Sequence, residues 1–215
     1  MFKHVVKSIL FCSGLAVATL SHAASTFTEG KHYEVVAETA TKTPVVTEFF
    51  SFYCGHCFAF EPLANKLAAS LPKGVKFEKN HVDFIQASPP EVQNGMARAY
   101  VVANNAGKGT EVAGMIFNYI HQQRANFGSD ADIRSLLLVN NFDPATFDNG
   151  FNSMPVLAEA IKMKQQQTYW FEKKVLTGVP MLLVNGKYKV KFDGLDEKNP
   201  EQHLIELVTY LAEKK

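Results

Sequence analysis

The chain has 215 residues, 47% of them hydrophobic, with 22 Lys and Arg against 21 Asp and Glu for a net charge of +1. So even a balance excludes the electrostatic footprint of a nucleic-acid binder or a strongly charged docking protein. The length suffices for one good core, or for a small domain carrying an insertion.

Residues 1–23 read as a signal peptide. Lys3, His4 and Lys7 make a basic start, Ser8 to Leu20 is an apolar run of 13 residues, and Ser21-His22-Ala23 puts small residues where a signal peptidase cuts. Such a run is too short to span a bilayer comfortably, which favours a cleaved leader over the alternative, an uncleaved membrane anchor. Cys12 follows Phe11, not a small residue, so a lipoprotein cleavage site is not indicated and Cys12 leaves with the leader. The two cysteines left, Cys54 and Cys57, are too few and too close together for a structural disulfide framework.

Tyr33-Glu34-Val35-Val36 is a short edge strand. Val45 to Phe52 is a near-continuous apolar run, suited to a central strand covered on both faces. The pattern then turns helical from Cys57 to about Leu71 and is closed by Pro72-Lys73-Gly74. Val75 to Val82 alternates as a strand, which completes a βαβ unit with parallel strands. From Ser88 to about Asn152 the signals are helical. Pro89-Pro90 opens one helix and Gly107-Lys108-Gly109 breaks it; a second runs from Thr110 to about Arg124. Ser129 or Asp130 caps a third, and Asp143-Pro144 starts a fourth. Ser153 begins a long helix to about Lys174, with Leu157, Ile161, Thr168 and Phe171 expected to face inward. Met181 to Val184 and Lys187 to Val190 are strands joined by Asn185-Gly186, a two-residue hairpin turn. Asn199-Pro200 starts the last helix.

The chemistry concentrates where the aromatic strand Glu48-Phe49-Phe50-Ser51-Phe52-Tyr53 runs into Cys54-Gly55-His56-Cys57. A strand, a sharp turn and a helix put both sulfurs at a helix's first turn, where backbone N–H groups lack partners and the dipole is positive. A thiolate at Cys54 is stabilised there. Cys57 lies one turn on, able to attack a mixed disulfide at Cys54, and His56 can offer a hydrogen bond or a positive charge. The competing readings are an inert bridge and half a metal site. Zinc needs about four ligands, and His32, His56, His81, His121 and His203 show no paired ligand spacing, so no metal and no cofactor is expected. Glu48, an acid inside an apolar strand, has a carboxyl pKa that burial would raise, and it could take the Cys57 proton; the plainer alternative is an exposed or lysine-paired acid. Glu61, on the same helix as Cys57, could influence the charge of the site, but it reads first as a solvated helix acid. Val179-Pro180 by itself fits an ordinary trans proline at a strand start.

The run Phe49-Phe50-Ser51-Phe52-Tyr53-Cys54-x-His56-Cys57, preceded by Glu48 and answered by Thr177-Gly178-Val179-Pro180, resembles the DsbA family of periplasmic thiol:disulfide oxidoreductases. The resemblance implies an α/β thioredoxin fold with an inserted helical subdomain, divided as 24–85, 86–152 and 153–215. It implies a cis Pro180 facing the cysteine pair, Val179 pairing its backbone with substrate, and the Glu48 carboxyl buried near Cys57. It implies an enzyme without cofactor, a monomer in the periplasm, that donates its Cys54–Cys57 disulfide to newly exported, unfolded proteins and is reoxidised by a DsbB-type quinone-linked membrane protein. Many family members have Pro-His between the cysteines. Gly55-His56 is the pair of eukaryotic protein disulfide isomerases, and it points to a milder oxidant. A disulfide isomerase or reductase is the alternative within redox chemistry, although the short stretch before Cys54 leaves no room for the dimerisation domain of DsbC-type isomerases. A thioredoxin-fold chaperone with incidental cysteines is the alternative outside it.

Overall fold

The computed structural model describes residues 27–214. The proposed leader and Cys12 lie outside them. Strand β1 is Tyr33–Val35, β2 is Val45–Phe50 and α1 is Gly55–Ser70. Strand β3 is Lys76–His81, followed by four helices: α2 at Pro90–Asn105, α3 at Gly109–His121, α4 at Asp130–Val139 and α5 at Pro144–Gly150. The chain returns through α6, Met154–Glu172, to the hairpin β4, Met181–Val184, and β5, Tyr188–Val190, and ends in α7, Pro200–Glu213. The sheet order is β1-β5-β4-β2-β3. Strands β2 and β3 are parallel through the α1 crossover, while β4 runs antiparallel to both β2 and β5.

Alternation along β2 sorts the core. Val46, Glu48 and Phe50 point to one face, Thr47 and Phe49 to the other. Val46 packs with Leu182, Val184, Leu67 of α1 and Leu204, Leu207, Val208 and Leu211 of α7. Phe49 packs on the opposite side with Met181, Leu183 and Trp170 of α6. Phe50 and Phe52 join a third cluster built largely from the helical insert, including Met96, Tyr100, Ile116 and Phe117. The insert therefore packs directly against the end of the strand that leads into the cysteines.

Local signals account for most boundaries. Asp143 caps α5 by accepting from Thr146 N at 2.7 Å, and Ser129 accepts from Asp132 N at the start of α4. Ser153 occupies the N-cap position of α6 without a side-chain cap bond. The inward face of α6 differs from the sequence reading. Val156, Ala160, Met163, Gln167 and Trp170 are buried, while Ile161 and Phe171 are more than half exposed. The apolar residues of α6 recur on two faces, and burial follows the face that meets β3 and α2. Gly95 on α2 leaves room for the Asp130 carboxylate of α4, which a Cβ there would push aside.

The hairpin turn is also a latch. Asn185 and Gly186 both have positive φ, 54° and 60°, as a type I′ turn requires. The buried Asn185 side chain accepts from Val45 N at 3.0 Å and donates to Leu211 O and Ala212 O at 3.2 and 3.1 Å. It ties β2, the hairpin and the end of α7 together. Asn185→Ala removes all three bonds and puts a Cβ-only residue at positive φ, so a loss of about 2–3 kcal/mol is expected. A urea midpoint equal to that of the parent would refute the latch.

Candidate active site

Strand β2 ends at Phe50 and α1 begins at Gly55, so residues 51–54 make the turn that delivers the sulfurs. Cys54 is the N-cap of α1, with extended backbone at φ −92° and ψ 113°. Its Sγ accepts from Cys57 N at 3.2 Å, in the place where a serine or aspartate oxygen usually caps a helix. Cys54 Sγ also donates to Val179 O at 3.3 Å. The Val179–Pro180 peptide bond is cis. The motif and the late Val-Pro, 125 residues apart, thus meet at one sulfur.

The two thiols are driven in opposite directions. The hydrogen bond from the Cys57 thiol, reinforced by the Cys57 and His56 backbone N–H groups and the His56 imidazole, outweighs burial and lowers Cys54 to about 6. Cys57 is fully buried, and burial, the hydrogen bond to Cys54 and the negative charges of Cys54 and Glu48 push it far above the ordinary thiol range. His56 is exposed at the rim beside Gly55.

Beneath the pair lies a buried charge cluster. The inward face of α1 is Cys57, Glu61, Ala64 and Leu67, so Glu61 sits one turn below Cys57. In the parallel register Glu48 is opposite Lys79. Lys79 Nζ is 3.1 Å from Glu48 Oε2, hydrogen-bonds Glu61, and lies 4.6 Å from the Phe50 ring centroid. The Glu48 contact is off hydrogen-bond direction, and neither Glu48 oxygen has a well-aligned protein donor. Burial therefore prevails over Lys79 and, with the Glu61 charge, raises the Glu48 carboxyl to about 7. The reading of Glu61 as a solvated acid is corrected. It is buried, because Lys79 gives it a partner below the α1 face.

Lys79, His81 and His121 were not singled out by sequence reasoning. Lys79 had a signal: it shares parity with Phe77 on β3, the inward side. Buried His81 accepts from Phe52 N at 3.2 Å, and burial holds its imidazole down at about 3, in the neutral form that can accept. His121, the last residue of α3, lies with Nε2 2.8 Å from Phe52 O. No spacing in the sequence announces either contact. Among the described residues, no group of three or more His, Cys, Asp or Glu is arranged to hold a metal.

The DSBA-like thioredoxin domain matches residues 45–204. The DsbA thiol:disulfide interchange protein of Haemophilus influenzae is 33% identical, covering 97% of this chain and 100% of its own, and that of Escherichia coli K12 is 31% identical over 96% and 98%. The chain belongs to the DsbA family. Its structure agrees: DsbA of Proteus mirabilis, solved with a non-covalently bound peptide, superimposes with a TM-score of 0.74 at 30% identity, covering 88% of this chain and all of that one. DsbA of Klebsiella pneumoniae gives 0.75 at 27% identity over 89% of this chain and 100% of its own. The fold is thus the thioredoxin-like α/β fold of DsbA, with helices α2–α5 interposed, and the chain is a DsbA-like thiol:disulfide oxidoreductase.

Proposed function

We propose that the protein oxidises cysteine pairs in unfolded, newly exported proteins by handing on a Cys54–Cys57 disulfide. The observation that carries this reading is the Cys54 Sγ at the α1 N-cap, stabilised as a thiolate, beside a Cys57 kept as a thiol. A substrate thiolate attacks Cys54 Sγ, the enzyme S–S bond breaks, and the Cys57 sulfur leaves and takes a proton. Glu48, near pH 7 in its titration, is suited to supply that proton through the buried cluster, and to take it back when Cys57 later attacks. A second substrate thiolate then attacks the substrate sulfur of the mixed disulfide, and Cys54 departs as the better leaving group. The substrate gives up two electrons and the enzyme ends with a Cys54 thiolate and a Cys57 thiol.

Val179 and Pro180 are proposed to align the incoming chain, with the Val179 backbone pairing to substrate and His56 steadying the thiolate. The Proteus mirabilis relative holds a peptide that contains a cysteine, which supports a peptide-binding role here. The working compartment is proposed to be the periplasm, the working form a monomer of the three segments 24–85, 86–152 and 153–215, and the reoxidant a DsbB-type quinone-linked membrane protein.

The test is the relative stability of the two redox forms. A Cys54 pKa depressed from about 8.5 to about 6 stabilises the reduced protein fully above pH 8.5 and not at all below pH 6. At pH 7 that is ~1.4 kcal/mol, or ~30 mV towards a more oxidising couple. The reduced form is expected to unfold at higher denaturant than the oxidised form at pH 8, with the margin narrowing as pH falls to 6. Equal midpoints across that range would remove the basis for an oxidant.

A further inference from the structure

We propose that His121 is a positioning residue for the redox reaction, through which the helical insert holds the turn that presents Cys54. The inference rests on the reading of Cys54 as the attacked sulfur and adds a residue outside the motif.

The argument begins with the turn itself. Residues 51–54 belong to neither β2 nor α1, so no ladder fixes them. Their internal bonds are Cys54 N to Ser51 O at 3.0 Å and Tyr53 N to Ser51 Oγ at 3.2 Å. Phe52 is held from outside on both of its backbone polar groups. Its N–H is accepted by His81, which the sheet fixes. Its carbonyl can only accept, so the 2.8 Å contact requires a proton on His121 Nε2. The two imidazoles take opposite roles on one residue, two positions before Cys54.

His121 also grips the other side of the motif. Its ring lies on Phe58, the residue after Cys57, with centroids 5.1 Å apart and planes 9° from parallel. It touches Phe117 of α3 at 6.0 Å. One ring carried by the insert therefore spans both ends of the Cys54–Cys57 segment: a hydrogen bond before it and a stack after it. Phe52 is itself buried against Phe117, at 5.0 Å. The carbonyl of Phe52 is thus shielded from solvent donors on that side, and without His121 it must turn to find another. Turning it rotates the Phe52–Tyr53 peptide plane, breaks the Tyr53 N bond to Ser51 Oγ, and through the turn shifts Cys54 Sγ relative to Cys57 N, the bond that makes the sulfur a helix cap.

Two substitutions separate the donor from the stack. His121→Phe keeps an aromatic ring on Phe58 and removes the N–H. His121→Gln keeps an N–H donor and removes the ring. His121 is only half-buried, so neither creates a cavity. The readouts are the Cys54 thiolate titration by absorbance at 240 nm and the equilibrium of the pair with glutathione. His121→Phe is expected to raise the thiolate midpoint by ~0.5 unit or more and weaken the protein as an oxidant of glutathione ~3-fold, while His121→Gln stays nearer the parent. A merely structural role would lower the melting temperature of both variants and leave both redox readouts in place, and that result overturns the proposal. Should His121→Phe not fold, His121→Met, which also lacks a donor, is read in the same way. A parent protein whose Cys54 titrates at or above pH 8 would sink the redox reading and this inference together. A low parent midpoint that the donor-less variant does not move sinks the inference alone.

Discussion

Cys54→Ser and Cys57→Ser are each expected to abolish oxidation of a reduced two-cysteine peptide, because neither variant can hold the Cys54–Cys57 disulfide, and the two differ in what happens to a mixed disulfide. A serine at position 54 still caps α1 by accepting from Cys57 N, so the variant should fold. What it loses is the disulfide to hand on and the sulfur that a substrate thiolate attacks. Cys57→Ser keeps the Cys54 sulfur that a partner can bond and removes the buried thiol that would displace that partner. A mixed disulfide formed at Cys54 from an activated single-cysteine peptide, which has no second thiol to resolve it, should therefore persist in Cys57→Ser, and peptide release should slow by ~100-fold or more relative to the parent. Quenched-flow trapping of the mixed disulfide followed by mass spectrometry measures both outcomes. A parent protein that oxidises the peptide no faster than Cys54→Ser does would leave the cysteines incidental and favour a chaperone-like binding module.

The asymmetry behind that prediction was partly legible in the sequence. Cys54-Gly55-His56-Cys57 after an apolar strand is enough to place a sulfur at a helix start, and the structure makes Cys54 the cap itself, one step before the first turn. The hairpin at Asn185-Gly186 and the caps at Ser129 and Asp143 were equally readable, because a short-range rule governs each of them. The face of α6 was not. Its apolar residues recur on two sides, and only packing against β3 and α2 selects Val156, Ala160, Met163 and Trp170. His81 and His121 were illegible for a related reason: each acts on Phe52 through a contact 29 or 69 residues away in sequence. The buried cluster stood between these cases. Glu48 shares parity with Val46 and Phe50, and Lys79 with Phe77, so both could be assigned inward, but pairing them needs the β2–β3 register. Glu61 needed the helix face as well.

Glu48 and Lys79 carry the largest stability effects, and these have opposite signs. Burial raises the Glu48 carboxyl from 4.5 to about 7. Its protonated form is the one the fold favours. The associated stability is fully present below pH 4.5 and is lost as pH rises to 7. Glu48→Gln imitates the protonated carboxyl at every pH, so it is expected to stabilise the protein by ~3 kcal/mol at pH 7 and to change little at pH 4. Lys79→Met does the reverse. It leaves Glu48 and Glu61 in one buried space without their shared cation, at a cost of ~3–5 kcal/mol at neutral pH, which relaxes in acid as the carboxyls take up protons. Urea unfolding of both variants between pH 4 and pH 8 measures the two curves, which should diverge as pH rises. Their redox consequences follow from the same charge. Glu48 contributes to holding the Cys57 thiol protonated, so Glu48→Gln should make Cys57 easier to ionise while removing the group proposed to exchange its proton. The result expected in single-turnover experiments is a more stable protein with a slower proton-coupled step, ~10-fold or more at pH 7. A Glu48→Gln variant that is both no more stable at pH 7 and equally fast would show that the carboxylate is neither strained by its burial nor used in the chemistry above it.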